Sequence, residues 1–234
     1  MKTTILDKHK LVNSVFSEVY NKYDLMNDIM SFGIHRIWKK KFLDWMNPQP
    51  NSNFIDVASG TGDIAKLFSK KLNDNANITC VEPNDKMLAQ GKEKLKKLKN
   101  INWVNANAEN LPLNDNTYDF YSISYGIRNV FDLNKTLKEA LRVLKPGGRF
   151  MCLEFSKIDN EIISFLYKKY SKAIPHVGKM VVGSEAPYKY LIDSIEKFYS
   201  QEQLAQLMIK NGFYNVEFRN LSNGISAIHS GWKV

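Results

Sequence analysis

Hydrophobic residues recur along this chain with two different periods, and the period switches repeatedly after Asn53. Apolar runs of strand length occupy Asn53–Ala58, Ile78–Glu82, Ile101–Ala106, Tyr118–Ser124 and Arg149–Phe155. Between them the apolar positions fall on single helical faces: Ile64, Ala65, Phe68 and Leu72 after the first run, then Leu88, Gly91, Leu95 and Leu98 after the second, with Asn84 placed to cap that helix. Asp132 is the predicted cap of another helix, whose Leu133, Leu137, Leu141 and Leu144 face inward until Lys145-Pro146-Gly147-Gly148 stops it. Strands alternating with helices in this way predict a parallel sheet covered by helices.

The flanking segments divide the chain further. Residues 1–52 read as a helical arm: Val15, Phe16, Val19, Tyr20 and Tyr23 share one helical face, and Ile34, Ile37, Trp38, Phe42 and Trp45 another, before the Asn/Pro-rich linker Asn47–Asn53. Residues 53–156 are the predicted core, and 157–199 a helical insertion rich in Tyr, Lys and Met. In residues 200–234, Ser200 and Gln203 predict a capping box, Leu204, Leu207 and Met208 mark the helix face, and Gly212 closes it. Phe213–Lys233 reads as two strands turning at Ser222-Asn223-Gly224. The predicted class is α/β, five parallel strands finished by an antiparallel hairpin.

Composition adds limits. With 234 residues, 44% of them hydrophobic and only 12 Gly and 7 Pro, the chain can bury a sizeable core and is neither collagenous nor low-complexity. Its 33 basic against 24 acidic residues leave a net charge of +9, which suits an anionic partner (nucleic acid, a phospholipid surface or an acidic metabolite) or reflects lysine-rich composition alone. No run approaches the ~18 to 20 apolar residues of a membrane span, and Met1–Lys10 lacks a signal-peptide core, so a cytoplasmic location is expected. Cys80 and Cys152 lie in apolar runs and read as buried thiols in a reducing compartment.

The first candidate chemistry lies where the first strand turns into a helix, in Asp56-Val57-Ala58-Ser59-Gly60-Thr61-Gly62-Asp63. In open α/β sheets ligands bind at that edge, and Gly60 and Gly62 allow close approach to backbone, although a bare G-x-G also suits an ordinary tight turn. Glu82 ends the second strand about 20 residues on, where a carboxylate can accept ribose hydroxyls. Asn107, Ala108 and Glu109 follow the third strand and Ser124 ends the fourth, so four consecutive strand ends carry small or polar groups around one crevice. No lysine-bearing phosphate cradle is present, which favours a nucleoside with a neutral or cationic tail.

Three further stretches carry a family resemblance. Tyr23-Asp24-Leu25-Met26-Asn27-Asp28-Ile29-Met30-Ser31-Phe32-Gly33-Ile34-His35-Arg36-Ile37-Trp38, Tyr125-Gly126-Ile127-Arg128-Asn129 and Arg142-Val143-Leu144-Lys145-Pro146-Gly147-Gly148-Arg149-Phe150-Met151-Cys152-Leu153-Glu154-Phe155-Ser156 resemble, in order, diagnostic segments of the ubiquinone/menaquinone biosynthesis C-methyltransferase family. The resemblance implies a Rossmann-like class I methyltransferase sheet of order 3-2-1-4-5. It also implies S-adenosylmethionine as cofactor, bound at Thr61, Glu82, Asn107, Ala108 and Ser124, and no metal. Ser59 and Glu82 depart from the Gly and Asp of many relatives, keeping the small side chain and the carboxylate respectively. The implied reaction is methyl transfer to a ring carbon of a polyprenylated benzoquinol or naphthoquinol. Partners left open are an anionic membrane surface, other proteins of quinone biosynthesis and a second copy of the chain; nucleic acid is not expected.

Making a quinol carbon nucleophilic requires deprotonating the adjacent phenol, which a nearby cation assists. Arg128 is the leading candidate for that cation, the alternative being a clamp on its own loop. Asn129 and Tyr125 can orient ring or water, Tyr125 equally being core packing. His35 has an ordinary pKa suited to proton transfer but also suits a satisfied structural histidine. Tyr23 and Asp24 are candidates for a lid. Glu154 is either a partner for Arg128 or a plain strand-end charge. The insertion's Phe165, Leu166, Tyr167, Tyr170, Ile174, Met180 and Val181 mix with lysines, as a route for an isoprenoid tail or an ordinary capping subdomain would. A class I methyltransferase for another small molecule, or a non-enzymatic membrane-surface or nucleic-acid-binding module, are the alternatives.

Overall fold

The computed structural model describes residues 33–158 and 185–234, together with Leu25, Asp28, Ser31, Glu161, Phe165, Tyr167, Lys169, Tyr170 and Pro175. The first arm helix expected around Val15–Tyr23, the candidate lid residues Tyr23 and Asp24, and Leu166, Ile174, Met180 and Val181 of the insertion lie outside the described residues.

The alternation of periods becomes alternating elements. Helix α1 (His35–Met46) precedes β1 (Asn53–Val57), α2 (Asp63–Lys71), β2 (Asn77–Val81), α3 (Asp85–Lys94), β3 (Ile101–Val104) and β4 (Tyr118–Ser124). A single 3₁₀ turn (Ile127–Asn129) leads to α4 (Leu133–Val143) and β5 (Leu144–Phe155). Then α5 (Ala186–Lys197) and α6 (Gln201–Lys210) precede the hairpin of β6 (Tyr214–Leu221) and β7 (Ser226–Trp232). The sheet order is β3-β2-β1-β4-β5-β7-β6, with β1 to β5 mutually parallel and β7 antiparallel to both neighbours. Connections run outward from β1 to β3 and then cross to β4 on the other side. The crevice between the ends of β1 and β4 is therefore the switch point where such sheets bind ligands.

Local chemistry explains the helix starts. The Asn84 side chain accepts the Met87 N–H, Asp132 that of Lys135, and Ser200 with Gln203 forms a reciprocal capping box. Strand parity then sorts the core. Phe54 points to a layer containing Phe68, Trp38, Phe42 and Phe155, its ring stacked on Phe68 at 4.0 Å between centroids. Ile55 points to the opposite layer with Tyr121, Phe150, Leu137 and Met208. Cys80 and Cys152 are free and buried in different layers, three strand positions apart in the sheet order.

Two elements differ from the sequence reading. The Lys145–Gly148 segment stops α4, yet β5 begins at Leu144 rather than Arg149: Leu144 pairs with Tyr118, and a register shift then aligns Phe120 with Arg149. The hairpin turn is longer than a two-residue Asn-Gly turn. Leu221 pairs with Ser226 across four residues, of which Ser222, Asn223 and Gly224 all have positive φ.

Candidate active site

A cleft of about 260 Å³ opens at the carboxyl ends of β1 to β4. Its walls include Gly60, Glu82, Asn107, Ala108, Tyr125 and Asn129 from the sequence prediction, and also Asn84, Met87, Asn105, Val130 and Phe131, which that prediction did not assign to the site. Two side-chain-bearing residues at this edge, Ala58 and Tyr125, adopt left-handed backbone with φ of 52° and 55°. Non-glycine residues in that conformation cluster where surrounding structure forces a functional geometry.

Gly60, at φ 56°, turns its N–H toward Glu82 Oε2 at 2.9 Å, while Asn84 donates its N–H to Oε1 at 2.9 Å. Both carboxylate oxygens are thus fixed by backbone donors and still have lone-pair capacity facing the cleft. Burial pushes the Glu82 carboxyl up to about 7 despite these two hydrogen bonds. Across the cleft, Glu109 accepts the Phe131 N–H at 2.5 Å and so ties the loop after β3 to the segment entering α4. Gly62 lines no part of the cleft. A Cβ there would sit 2.6 Å from Leu95 and 3.1 Å from Trp103, so this glycine serves helix packing, and the sequence assignment of Gly62 to cofactor approach is corrected.

Beneath the Ser59–Asp63 turn lies a second, smaller polar cavity of about 30 Å³, joined to the cleft through Ala58, Gly60 and Tyr125, which line both. Asp56, Thr61 and Ser124 face this small cavity rather than the main cleft. Thr61 Oγ1 accepts from Lys94 Nζ at 3.1 Å. Asp56 is fully buried; Ser122 donates to its Oδ1 at 2.5 Å, and its Oδ2, like Ser124 Oγ, has no hydrogen-bond partner among the described residues. Burial drives the Asp56 carboxyl up to about 7, opposed by the Ser122 bond and the Lys39 charge. A carboxyl raised in the fold contributes stability at pH below its unfolded value, near 3.8, and loses it as pH climbs through 7. Asp56→Asn should therefore raise the unfolding midpoint at pH 8 relative to the parent and leave it nearly unchanged at pH 4, as measured by thermal denaturation at both pH values.

The residues assigned to chemistry separate. Asn129 reaches the cleft, its Oδ1 accepting from the Tyr190 hydroxyl of α5 at 2.9 Å. Tyr125 lines both cavities, is buried, and packs on Phe155 at 4.9 Å between centroids. Arg128 lines neither. Its Nη1 donates to Glu154 at 2.6 Å and to the Tyr125 carbonyl at 2.7 Å, and its Nε to Ser194 at 3.3 Å. Both members of this ion pair are about 97% buried. Burial raises the Glu154 carboxyl against the opposing Arg128 charge. Arg128, the leading candidate for a cation facing the crevice, is instead placed as the alternative clamp on its own loop: Glu154 is its counter-ion, and the pair holds the loop that carries Tyr125 and Asn129. His35 is corrected too. It is buried at the start of α1, its Nε2 lies 2.8 Å from Asp28 Oδ1, it lines neither cavity, and burial lowers its pKa against the Asp28 bond.

These residues fit S-adenosylmethionine: a doubly anchored carboxylate for ribose, a left-handed Gly60 beside it, and buried oxygens of Asp56 and Ser124 without protein partners. Strand order, switch-point turn and strand-end carboxylate together define a class I S-adenosylmethionine-dependent methyltransferase. The same fold is seen in a SAM-dependent methyltransferase, possible histamine N-methyltransferase, of Thermotoga maritima (TM-score 0.64, 24% identity, 94% of this chain and 99% of that one). It recurs in a SAM-dependent methyltransferase of Aquifex aeolicus (TM-score 0.62, 19% identity, 84% and 89%). The chain belongs to the ubiE/COQ5 methyltransferase family, whose model matches residues 3–233. It is 49% identical to the ubiquinone/menaquinone biosynthesis C-methyltransferase UbiE of Rickettsia bellii, over 97% of this chain and 94% of that protein. It is 46% identical to the protein of the same name in Brucella suis, over 97% and 87%.

Proposed function

We infer that this chain methylates a ring carbon of a polyprenylated benzoquinol or naphthoquinol in ubiquinone and menaquinone biosynthesis, using S-adenosylmethionine. The observation that carries this reading is family membership along nearly the whole chain, with relatives so named, joined to a cleft whose residues suit the cofactor. When bound, S-adenosylmethionine supplies an electrophilic sulfonium methyl group. Glu82 accepts ribose hydroxyls, and Asn107 and Ala108 border the cleft wall opposite the glycine turn. Because Tyr190 occupies Asn129 Oδ1, the carboxamide NH₂ of Asn129 is the end left to donate to a ring oxygen, favouring its deprotonated form. Arg128 acts through the loop: by holding Glu154 and the Tyr125 carbonyl together it fixes where Asn129 stands.

We extend the reading to peripheral contact with anionic lipid, for a substrate with an isoprenoid tail. Its support is the insertion's Phe165, 57% exposed, with the Lys169 ammonium 4.4 Å from its ring centroid. Among the described residues no helix is long and apolar enough to cross a membrane.

The redox state of the substrate tests this chemistry. An oxidised quinone is electrophilic at ring carbon and cannot attack a sulfonium, whereas a quinol lacking one phenolic proton is a carbon nucleophile. Turnover of a short-tailed quinone should appear only with reductant, followed as S-adenosylhomocysteine formation. Equal turnover of the oxidised ring would refute the quinol reading.

A further inference from the structure

Helix α5 grips the loop after β4 at two consecutive residues. Ser194 Oγ accepts the Arg128 Nε–H at 3.3 Å, and Tyr190, one helical turn earlier, donates its hydroxyl to Asn129 Oδ1 at 2.9 Å. Tyr190 itself lines neither cavity, yet the side chain it binds lines the cleft. An asparagine amide is nearly symmetric in shape and opposite in function at its two ends, an acceptor at Oδ1 and two donors at Nδ2. A half turn about its last bond exchanges them. Asn129 is 8% exposed and its Nδ2 has no acceptor among the described residues, so the end that meets a ring oxygen depends on what holds the other. If the amide turned over, the half-buried Tyr190 hydroxyl would lose Oδ1, the acceptor it has among the described residues. Burial holds the Tyr190 phenol above its usual range, with Arg128 and Glu154 acting on it in opposite directions, so it stays protonated and remains a donor at neutral pH.

We propose that Tyr190 is a positioning residue for the methyl transfer: by occupying Asn129 Oδ1 it stops the amide from turning its carbonyl to a neutral quinol, so Asn129 offers the ring oxygen donors alone and selects the ionised ring. The proposal rests on the quinol reading and makes α5 part of the machinery that sets the ring's charge. A neutral phenol calls for an acceptor, whereas a phenolate calls for donors. Without the Tyr190 hydroxyl, the amide is free to turn and accept from the unionised ring, which stabilises the form that does not attack a sulfonium. A hydrogen bond of ordinary net strength corresponds to about a tenfold preference, so the bound ring then ionises about one pH unit higher.

Steady-state kinetics with a reduced short-tailed quinol test this. Tyr190→Phe should lower kcat by about tenfold on the rising side of its pH profile and leave KM no higher than the parent's. The rising limb should move up by about one pH unit, so that the two proteins converge at high pH. Glu82 and Glu109 also face the cleft, but they are present in both proteins and cancel in the comparison. Unchanged S-adenosylhomocysteine affinity, read by calorimetry, shows that the variant keeps its cleft. Asn129→Asp, which presents an oxygen whichever way it turns, should move the limb at least as far and covers the case in which Tyr190→Phe does not fold. In an Asn129→Ala background, Tyr190→Phe should cost less than about twofold, because the amide through which it acts is gone. A loss of turnover that is the same at every pH, a raised KM with unchanged kcat, or an undiminished loss in the Asn129→Ala background would mean that Tyr190 merely docks α5, and overturns the proposal. If the unmodified chain methylates no reduced quinol, the quinol reading itself falls and takes the proposal with it.

Discussion

Arg128→Ala is expected to destabilise the protein by about 3 to 5 kcal/mol, the usual cost of leaving one member of a buried ion pair uncompensated. The structural reason is specific: Glu154 sits about 98% buried, with Arg128 as its ion-pair partner at 2.6 Å. Burial already raises the Glu154 carboxyl, and without Arg128 it rises further. A carboxyl raised in the fold is stabilising at pH below its unfolded value and costs stability above, so the deficit should grow from pH 5 to pH 8 in urea unfolding. Turnover should fall by about 10²-fold, since releasing the Tyr125 carbonyl frees the loop bearing Asn129 and displaces a donor by a fraction of an ångström or more. The double variant Arg128→Ala with Glu154→Gln separates these effects. It removes the stranded charge and should recover most of the stability, while turnover stays low and S-adenosylhomocysteine affinity stays near the parent's. Arg128→Lys should restore the ion pair but only part of the turnover, because a single ammonium cannot reproduce the fork that spans Glu154, the Tyr125 carbonyl and Ser194. Parental turnover in the double variant would show that the pair is purely structural.

Glu82→Ala should weaken S-adenosylhomocysteine binding by about ten- to a hundredfold through loss of a charged acceptor. The cost is compounded because Gly60 and Asn84 lose the oxygens that take their N–H groups, so the turn that shapes the cleft loosens with the same change. The pH dependence has a definite sign. Glu82 in the free protein titrates near 7, and hydrogen bonds from ribose hydroxyls favour its ionised form. Binding therefore lowers its pKa and releases protons near neutrality, so affinity rises between pH 6 and pH 8. Calorimetry in two buffers of different ionisation enthalpy reads that release directly, and Glu82→Ala should diminish it.

Much of this was legible in the sequence because local and global signals agree. Phe54, Ile55 and Val57 mark a buried strand, Asn84, Asp132 and Ser200 mark helix starts, and each performs that role in the fold. The crevice was legible because four strand ends carry small or polar residues, a pattern that periodicity places at one edge of a parallel sheet. Other features depend on contacts between distant parts of the chain and leave no local trace. Gly62 looks like a ligand-approach glycine, and only the structure reveals Leu95 and Trp103 against it. Lys39 sits between the apolar Trp38 and Phe42 on a helix whose sequence gives no hint that this lysine turns into the sheet's polar cavity. The choice between Glu154 as strand-end charge and as partner of Arg128 depended on 26 residues of chain folding back, and Tyr190, which fixes Asn129, comes from 61 residues away.

The central claim is carbon methylation of a reduced quinone ring, and the position of the transferred methyl tests it most directly. The chain should be incubated with S-adenosylmethionine labelled with carbon-13 in its methyl group and with short-tailed benzoquinols and naphthoquinols kept reduced, and the product assigned by nuclear magnetic resonance and mass spectrometry. The account predicts a labelled methyl bonded to a ring carbon, in a product that still oxidises to a quinone. Label on a phenolic oxygen, or no transfer to either ring while S-adenosylhomocysteine binds normally, would contradict it.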